Sequence, residues 1–195
     1  MPLSSVVGAQ SIIKPGVCTS STRPAVPFEG QMIYETDTDK VLVYNGTDWK
    51  QTPTAATAGA VLQVVQGTYS TQVVSSTNTY VTTGLTATIT PSSTSSKVLC
   101  IVQQSGCGKE SSNTYVLLRL YRGASSIHQI EAYGAFDNTT GINYVGTIGT
   151  TYLDSPATVA ATTYTTYVAS GANSGLVSVQ ANSGTSTMIL MEISA

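Results

Sequence analysis

His128 is the single histidine of the chain, so any Ser–His–Asp relay would have to pass through it. Serines and threonines fill 55 of 195 positions, so a nearby hydroxyl is no signal of a nucleophile. No Gly-x-Ser-x-Gly elbow is present. His128 stands among isoleucines in Ser126-Ile127-His128-Gln129-Ile130 and reads as a structural residue facing solvent or an interface. Glycoside cleavage needs two carboxylates about 5–10 Å apart across a sugar. Glu110, Glu131, Asp137, Asp154 and Glu192 are available but scattered. Asp154 reads as a turn former before Ser155-Pro156, and Glu192 ends the final strand. Nothing pairs them, so the chain is expected to be no enzyme, with no catalytic, cofactor or metal residue to assign. Glu35, Asp37, Asp39 and Asp48 form the only acidic cluster and could offer oxygen ligands to Ca²⁺. Lys40-Val41 follows where the glycine of a calcium loop belongs, so the cluster reads as a solvated hairpin turn. Of the three cysteines, Cys100 is expected as a small core hydrophobe, Cys107 as a loop residue between two glycines, and all as free thiols, a Cys100–Cys107 bridge remaining open.

The elements that would carry these residues follow from composition. Charged residues are 9% of the chain, against about 25% in a typical soluble domain. So little charge leaves a monomer poorly protected against association, which suggests that much of its surface is sheltered by other copies. The net charge of −2, with no basic cluster, argues against a nucleic-acid partner. No apolar run approaches the length of a membrane span. The first thirty residues lack a secretory signal pattern, so synthesis is expected in a cytoplasm. Asn45-Gly46-Thr47 and Asn138-Thr139-Thr140 are then turns rather than glycosylation sites.

Nine of the 18 charged residues lie in the first fifty positions, and none between Lys50 and Lys97. That shift, with the small residues from Thr52 to Gly59, divides the chain. The expected organisation is an N-terminal arm (1–22), a small β-meander (23–51), a linker (52–66) and a large β domain (67–195). In the meander, Gln31-Met32-Ile33-Tyr34 and Val41-Leu42-Val43-Tyr44 read as strands, and Asn45-Gly46 as a turn. In the large domain, Leu85, Ala87 and Ile89 alternate with threonines, and Val177, Val179 and Ala181 with Ser178 and Gln180. About eight strands at this turn spacing predict an all-β sandwich or jelly roll without helices.

Three strands are apolar on both sides. Leu99 and Ile101 oppose Val98, Cys100 and Val102; Leu117 and Arg119 oppose Val116, Leu118 and Leu120; Ile189 and Met191 oppose Met188 and Leu190. One side can pack inside the sandwich. The other needs a second body, and with no helices that body is expected to be another copy. Leu99, Ile101, Leu117, Arg119, Ile189 and Met191 are the expected self-association residues. Eleven tyrosines against two phenylalanines suggest polar-tipped contact surfaces, with Tyr133, Tyr144, Tyr152, Tyr164 and Tyr167 as candidates to face a receptor.

The stretch Arg23-Pro24 … Glu29-Gly30-Gln31-Met32-Ile33-Tyr34-Glu35-Thr36-Asp37 … Val43-Tyr44-Asn45-Gly46-Thr47-Asp48-Trp49 resembles a short module of tail fibres and other appendages of tailed phages. The second part is similar to trimeric, TNF-like jelly-roll domains at the ends of such proteins. It does so through Tyr80–Pro91, Ser96-Lys97-Val98-Leu99, Leu118-Arg119-Leu120-Tyr121-Arg122-Gly123, Tyr152–Thr158 and Met191-Glu192-Ile193. The resemblance implies a homotrimeric virion protein, made in the host cytoplasm. An N-terminal arm would dock on other virion proteins, and a jelly-roll knob would be presented to the host surface, where a glycan is one candidate partner. It also resembles capsid decoration and head-fibre proteins, though the N-terminal meander is more similar to fibre modules than to cement ones, and it carries over no catalytic residue or cofactor. Residues 1–22 match nothing in this resemblance and suit an arm that orders on its partner.

Overall fold

A computed structural model describes residues 15–52, 57–137, 141–172 and 175–195. The chain divides into two units, Met1–Ala55 and Ala56–Ala195. Residues 1–14 of the expected docking arm lie outside the described residues, as do Asn138-Thr139-Thr140.

The first unit is a four-stranded sheet ordered β1–β2–β3–β4. Its strands are β1 (Gly16–Cys18), β2 (Met32–Glu35), β3 (Lys40–Tyr44) and β4 (Trp49–Gln51). The three antiparallel members match the expected meander. β1 is an addition: it pairs in parallel with β2 through Gly16↔Ile33 and Cys18↔Glu35, so part of the stretch expected as arm belongs to the sheet. Ile33 and Leu42, cross-strand partners, are buried on one side. The β2–β3 hairpin closes with Asp39 in the left-handed region (φ 54°), a conformation that Asp tolerates better than most residues.

The second unit is a two-layer all-β sandwich. One layer is the antiparallel sheet β7–β12–β9–β10, built from β7 (Val81–Ile89), β9 (Val116–Arg122), β10 (Ser125–Gly134) and β12 (Thr162–Ser170). The other centres on β8 (Lys97–Lys109), flanked by β11 (Asn143–Asp154) along one edge and β14 (Ser186–Ile193) along the other, with β5 (Val61–Tyr69) outside β14. Past the reach of β14, Gly108 and Lys109 at the end of β8 pair on that edge with β13 (Val177–Val179), which β6 (Val73–Ser75) borders. Among the described residues the only helical turn is a 3₁₀ turn at Ala181–Ser183.

Where an apolar–polar alternation is clean, it reads directly as inside and outside. Leu85, Ala87 and Ile89 are buried, while Thr86 and Thr88 face out and bond to Thr165 (3.0 Å) and Thr163 (2.8 Å) across the sheet. The inward residues form two apolar clusters. One gathers Leu85, Val98, Cys100, Leu120, Tyr164, Met188 and Leu190; the other gathers Cys107, Val116, Leu118, Val168, Val177 and Val179. Between them runs a buried polar chain: Thr83 to Thr166 (2.5 Å), Thr166 to Gln104 (2.9 Å), and Gln104 (3.0 Å) and Gln180 (3.1 Å) both donating to Ser186. β7, β12, β8 and β14 each supply one polar residue at this level, and the burial is matched by hydrogen bonding except at Gln180 Oε1, which is buried without a partner.

Three expectations change. β5 starts at Val61, inside the stretch expected as linker, because Val64-Val65-Gln66 finds its partner in distant β14. Residues 57–60 are likewise tied down, with Gly59 N–H to Ser194 O at 2.8 Å. Cys107 is not in a loop. It lies fully buried within β8, just after Gly106, where the backbone turns left-handed (φ +59°) and a Cβ would stand 2.3 Å from the Ala181 nitrogen. Ser178 and Gln180, expected on an outward polar side, are buried, because β13 is covered on both faces and the chain leaves it at Gln180 (φ 53°).

Candidate functional site

The acidic residues that chemistry would need are engaged in holding strands. Asp154, at the end of β11, receives Arg122 Nη1 on both carboxylate oxygens (3.0 and 2.8 Å) and the Tyr164 hydroxyl on one (2.7 Å). It joins β11 of one sheet to β9 and β12 of the other, and is buried rather than a turn former. Burial, the hydrogen bond to Asp154 and the charge of Asp154 together push the Tyr164 phenol well above its usual range. Glu131 folds back on its own backbone, accepting Ala132 and Tyr133 N–H at 2.7 and 2.9 Å. Glu192 is buried and accepts Gln63 Nε2 (2.5 Å), Ser92 N–H (2.7 Å) and Ser92 Oγ–H (2.6 Å). Burial by itself would raise its pKa, but hydrogen bonds from Gln63, Ser92 and Ser96 outweigh it and hold the group at about 2. Nothing in the local sequence shows that role, because Gln63 and Ser92 reach Glu192 only through the fold.

His128 is half-buried, shares a hydrogen bond with Thr150 Oγ1 (3.0 Å) and stacks on Tyr152 at 4.7 Å. The acidic cluster of the first unit splits up. Glu35 is buried and pairs with Arg23, Asp37 accepts Ser20 N–H (2.9 Å), and Asp39 accepts the Tyr34 hydroxyl. The hydrogen bond from Arg23 lowers the Glu35 pKa, and those from Ser20 lower that of Asp37. All three cysteines are free; burial pushes the Cys100 and Cys107 thiols up to about 12, which leaves them protonated and unreactive. No group of metal-ligating side chains is found among the described residues, and none of their helices is long and apolar enough to cross a membrane.

The surfaces are more informative than any pocket. The outer side of the β5–β14–β8–β11 sheet is apolar across all four strands. Val64, Met191, Leu99 and Leu153 stand opposite one another in register, and Ile189 and Ile101 form the adjoining row between Gln66 and Thr151. Val64 is 57% and Leu153 47% exposed. Ile101, Gln103, Gly149 and Thr151 line a shallow hollow on this same side. Four of the six expected self-association residues, Leu99, Ile101, Ile189 and Met191, thus come together here.

Leu117 and Arg119 do not join them. They project from β9 on the outer side of the opposite sheet, since the strand alternation that buries Val116 and Leu118 turns them outward there. A flat contact cannot hold all six. This second surface carries the row Thr82–Tyr167–Arg119–Gln129, with Tyr121 packed on Tyr167 at 4.1 Å.

The five expected receptor-facing tyrosines also separate. Tyr164 is fully buried in the core and is corrected to a structural residue, because its inward position on β12 lies over Asp154. Tyr152 packs against the same core. Tyr144 is on β11 and donates to Glu110 at 2.9 Å. Tyr133 stacks on Tyr115 at 4.5 Å, and Tyr167 belongs to the row just described. Tyr80, Tyr121 and Gln129 were not among the expected site residues. The signal for Tyr121 was available in the β9 alternation, but that for Tyr80 and Gln129 needed the sheet order.

No protein-family model matches this chain, and no curated protein matches it. Among solved structures it is similar to the crystal structure of the infectious bursal disease virus VP2 subviral particle, at 10% identity and a TM-score of 0.42 over 77% of this chain and 36% of that one. It is also similar to the structure of infectious bursal disease virus Gx strain, at 9% identity and a TM-score of 0.40 over 80% of this chain and 42% of that one. The chain spans less than half the length of either.

Proposed function

We propose that this chain is a structural virion protein of a tailed phage: a homotrimeric tail-fibre or tail-tip component that docks through its N-terminal part and presents a jelly-roll knob to the host surface. The observation that carries the reading is the apolar outer side of the β5–β14–β8–β11 sheet. A four-strand apolar row on an outer face marks a surface that gains from cover by another body, and three copies around an axis cover one face of each at once. The strand orders β5–β14–β8–β11 and β7–β12–β9–β10 support a TNF-like jelly roll. The meander and knob motifs support an appendage of a tailed phage through their resemblance to such modules. Asp154, Glu131 and Glu192 are bound into structural contacts, which supports a reading that assigns no reaction and no cofactor. The partners of this reading are other copies, neighbouring virion proteins and a host surface glycan.

Light scattering on the purified chain tests the trimer: three times 20.2 kDa is expected, and a monomer at micromolar concentration overturns the reading. Counting copies on the particle tests location. A few per tail are expected; hundreds spread over the head make the protein a capsid decoration protein instead.

A further inference from the structure

Arg119 differs from the other enclosed cations among the described residues. Lys109 and Arg122 each pair with a carboxylate, whereas no carboxylate of the described residues reaches Arg119, although it is half-buried. Its guanidinium lies 4.3 Å above the centre of the Tyr80 ring, and its Nε donates to Gln129 Oε1 at 2.9 Å. These two contacts hold the planar group in one orientation. Its Nη groups donate to no described residue, which leaves them free for an acceptor from outside.

The neighbourhood suits one class of acceptor. Tyr167, the cross-strand partner of Arg119, packs with Tyr121 to make a half-exposed aromatic step beside the cation. Thr165 stands opposite Tyr121 on the same side and opens the outward threonine pairs with Thr86 and, further along, of Thr163 with Thr88. A sugar ring has an apolar face that stacks on tyrosine, hydroxyls that bond to threonine, and, when acidic, an anion that a fixed guanidinium takes in two parallel hydrogen bonds. The nearest carboxylate on β10, that of Glu131, is turned onto its own backbone and does not compete.

We infer that the outer side of the β7–β12–β9–β10 sheet is a binding site for an anionic saccharide, with Arg119 on the carboxylate or phosphate and Tyr121 and Tyr167 under the ring. This rests on the reading of the second unit as a host-facing knob and specifies what it binds. The uncompensated charge is the argument for an acidic rather than a neutral sugar. A buried or half-buried guanidinium gains most from a partner of opposite charge, and the described residues supply none.

The full-length protein is tested on an array of uronate-bearing, sialate-bearing, phosphorylated and neutral saccharides, and the best binder is then titrated calorimetrically. Retention on carboxylated or on phosphorylated sugars, with neutral ones left behind, is expected, and the two arms tell which anion is read. Arg119→Gln is expected to weaken binding at least about tenfold, as loss of a charge-assisted pair does, with Arg119→Lys intermediate and melting temperature and oligomer mass unchanged. Tyr167→Leu is expected to weaken it as well. Undiminished binding by Arg119→Gln overturns the site. If the protein blocks adsorption of particles to host cells yet retains no anionic saccharide, this inference fails while the host-contact reading stands. If it neither blocks adsorption nor retains any saccharide, the host-contact reading fails and takes the inference with it.

Discussion

On the outside of one sheet, the row Val64–Met191–Leu99–Leu153 holds no hydrogen-bonding side chain; on the outside of the other, the row Thr82–Tyr167–Arg119–Gln129 holds one on every strand. Both sheets turn the same kind of alternating strand toward a shared core, so their inner faces are alike. Their outer faces have different physical fates. Water can solvate hydroxyls, an amide and a guanidinium, but it gains nothing from four apolar side chains side by side, and covering them stabilises at roughly 25 cal/mol per Å² removed from water. On the proposed reading, one sandwich separates assembly from recognition by giving each sheet its own outward chemistry.

The sharpest way to break this contrast is to charge the apolar side. Ile189→Lys or Leu99→Lys is expected to abolish the proposed trimer, with light scattering reporting monomer or aggregate; Arg119→Gln is expected to leave the mass unchanged. If both kinds of variant behave alike, the division between the faces is wrong.

Next in size is the tie between the sheets. Asp154→Ala leaves Arg122 and the Tyr164 hydroxyl without their acceptor and is expected to cost about 3–5 kcal/mol in denaturant unfolding. A loss under about 1 kcal/mol would mean that the tie contributes little to holding the two sheets together.

The polar chain between the two apolar clusters comes third. Thr166→Val removes the partner of Thr83 and Gln104 and is expected to cost about 1–3 kcal/mol, measured by urea titration. A neutral or stabilising result would show the chain to be replaceable by apolar packing.

The smallest effect concerns pH. The Glu192 pKa of about 2 lies below its ordinary 4.5, so its stabilisation is complete above about pH 4.5 and fades as pH falls toward 2. Melting temperature is expected to drop over that window, and the drop is expected to be shallower in Glu192→Gln, whose plateau at neutral pH is lower. Parallel acid limbs in the two proteins would show that Glu192 is not a source of the slope.

Much of this was legible in the residues. The alternation at Leu85–Ile89 told inside from outside, the double-sided apolar pattern at 98–103 and 188–193 announced strands with an apolar outer side, and the Met32–Tyr44 stretch announced a hairpin. Local pattern failed where context from a distant strand decided. β5 looked like linker because nothing near it in sequence reveals β14 as its partner. Tyr164 looked like a surface tyrosine because an aromatic in a threonine run gives no sign of the Asp154 carboxylate beneath it.

By itself the sequence determined the class of fold, the positions of most strands and the side of each that must avoid water, because those depend on the two-residue repeat of a strand and on each side chain's own affinity for water. Only the tertiary structure decided which strands are neighbours. That choice put Leu99 beside Met191 and Arg119 beside Tyr167, and it placed Leu117 and Leu99 on opposite sides of the molecule. Register and sheet order come from contacts between residues far apart in the chain, and a repeat read along one strand carries no information about which partner it meets.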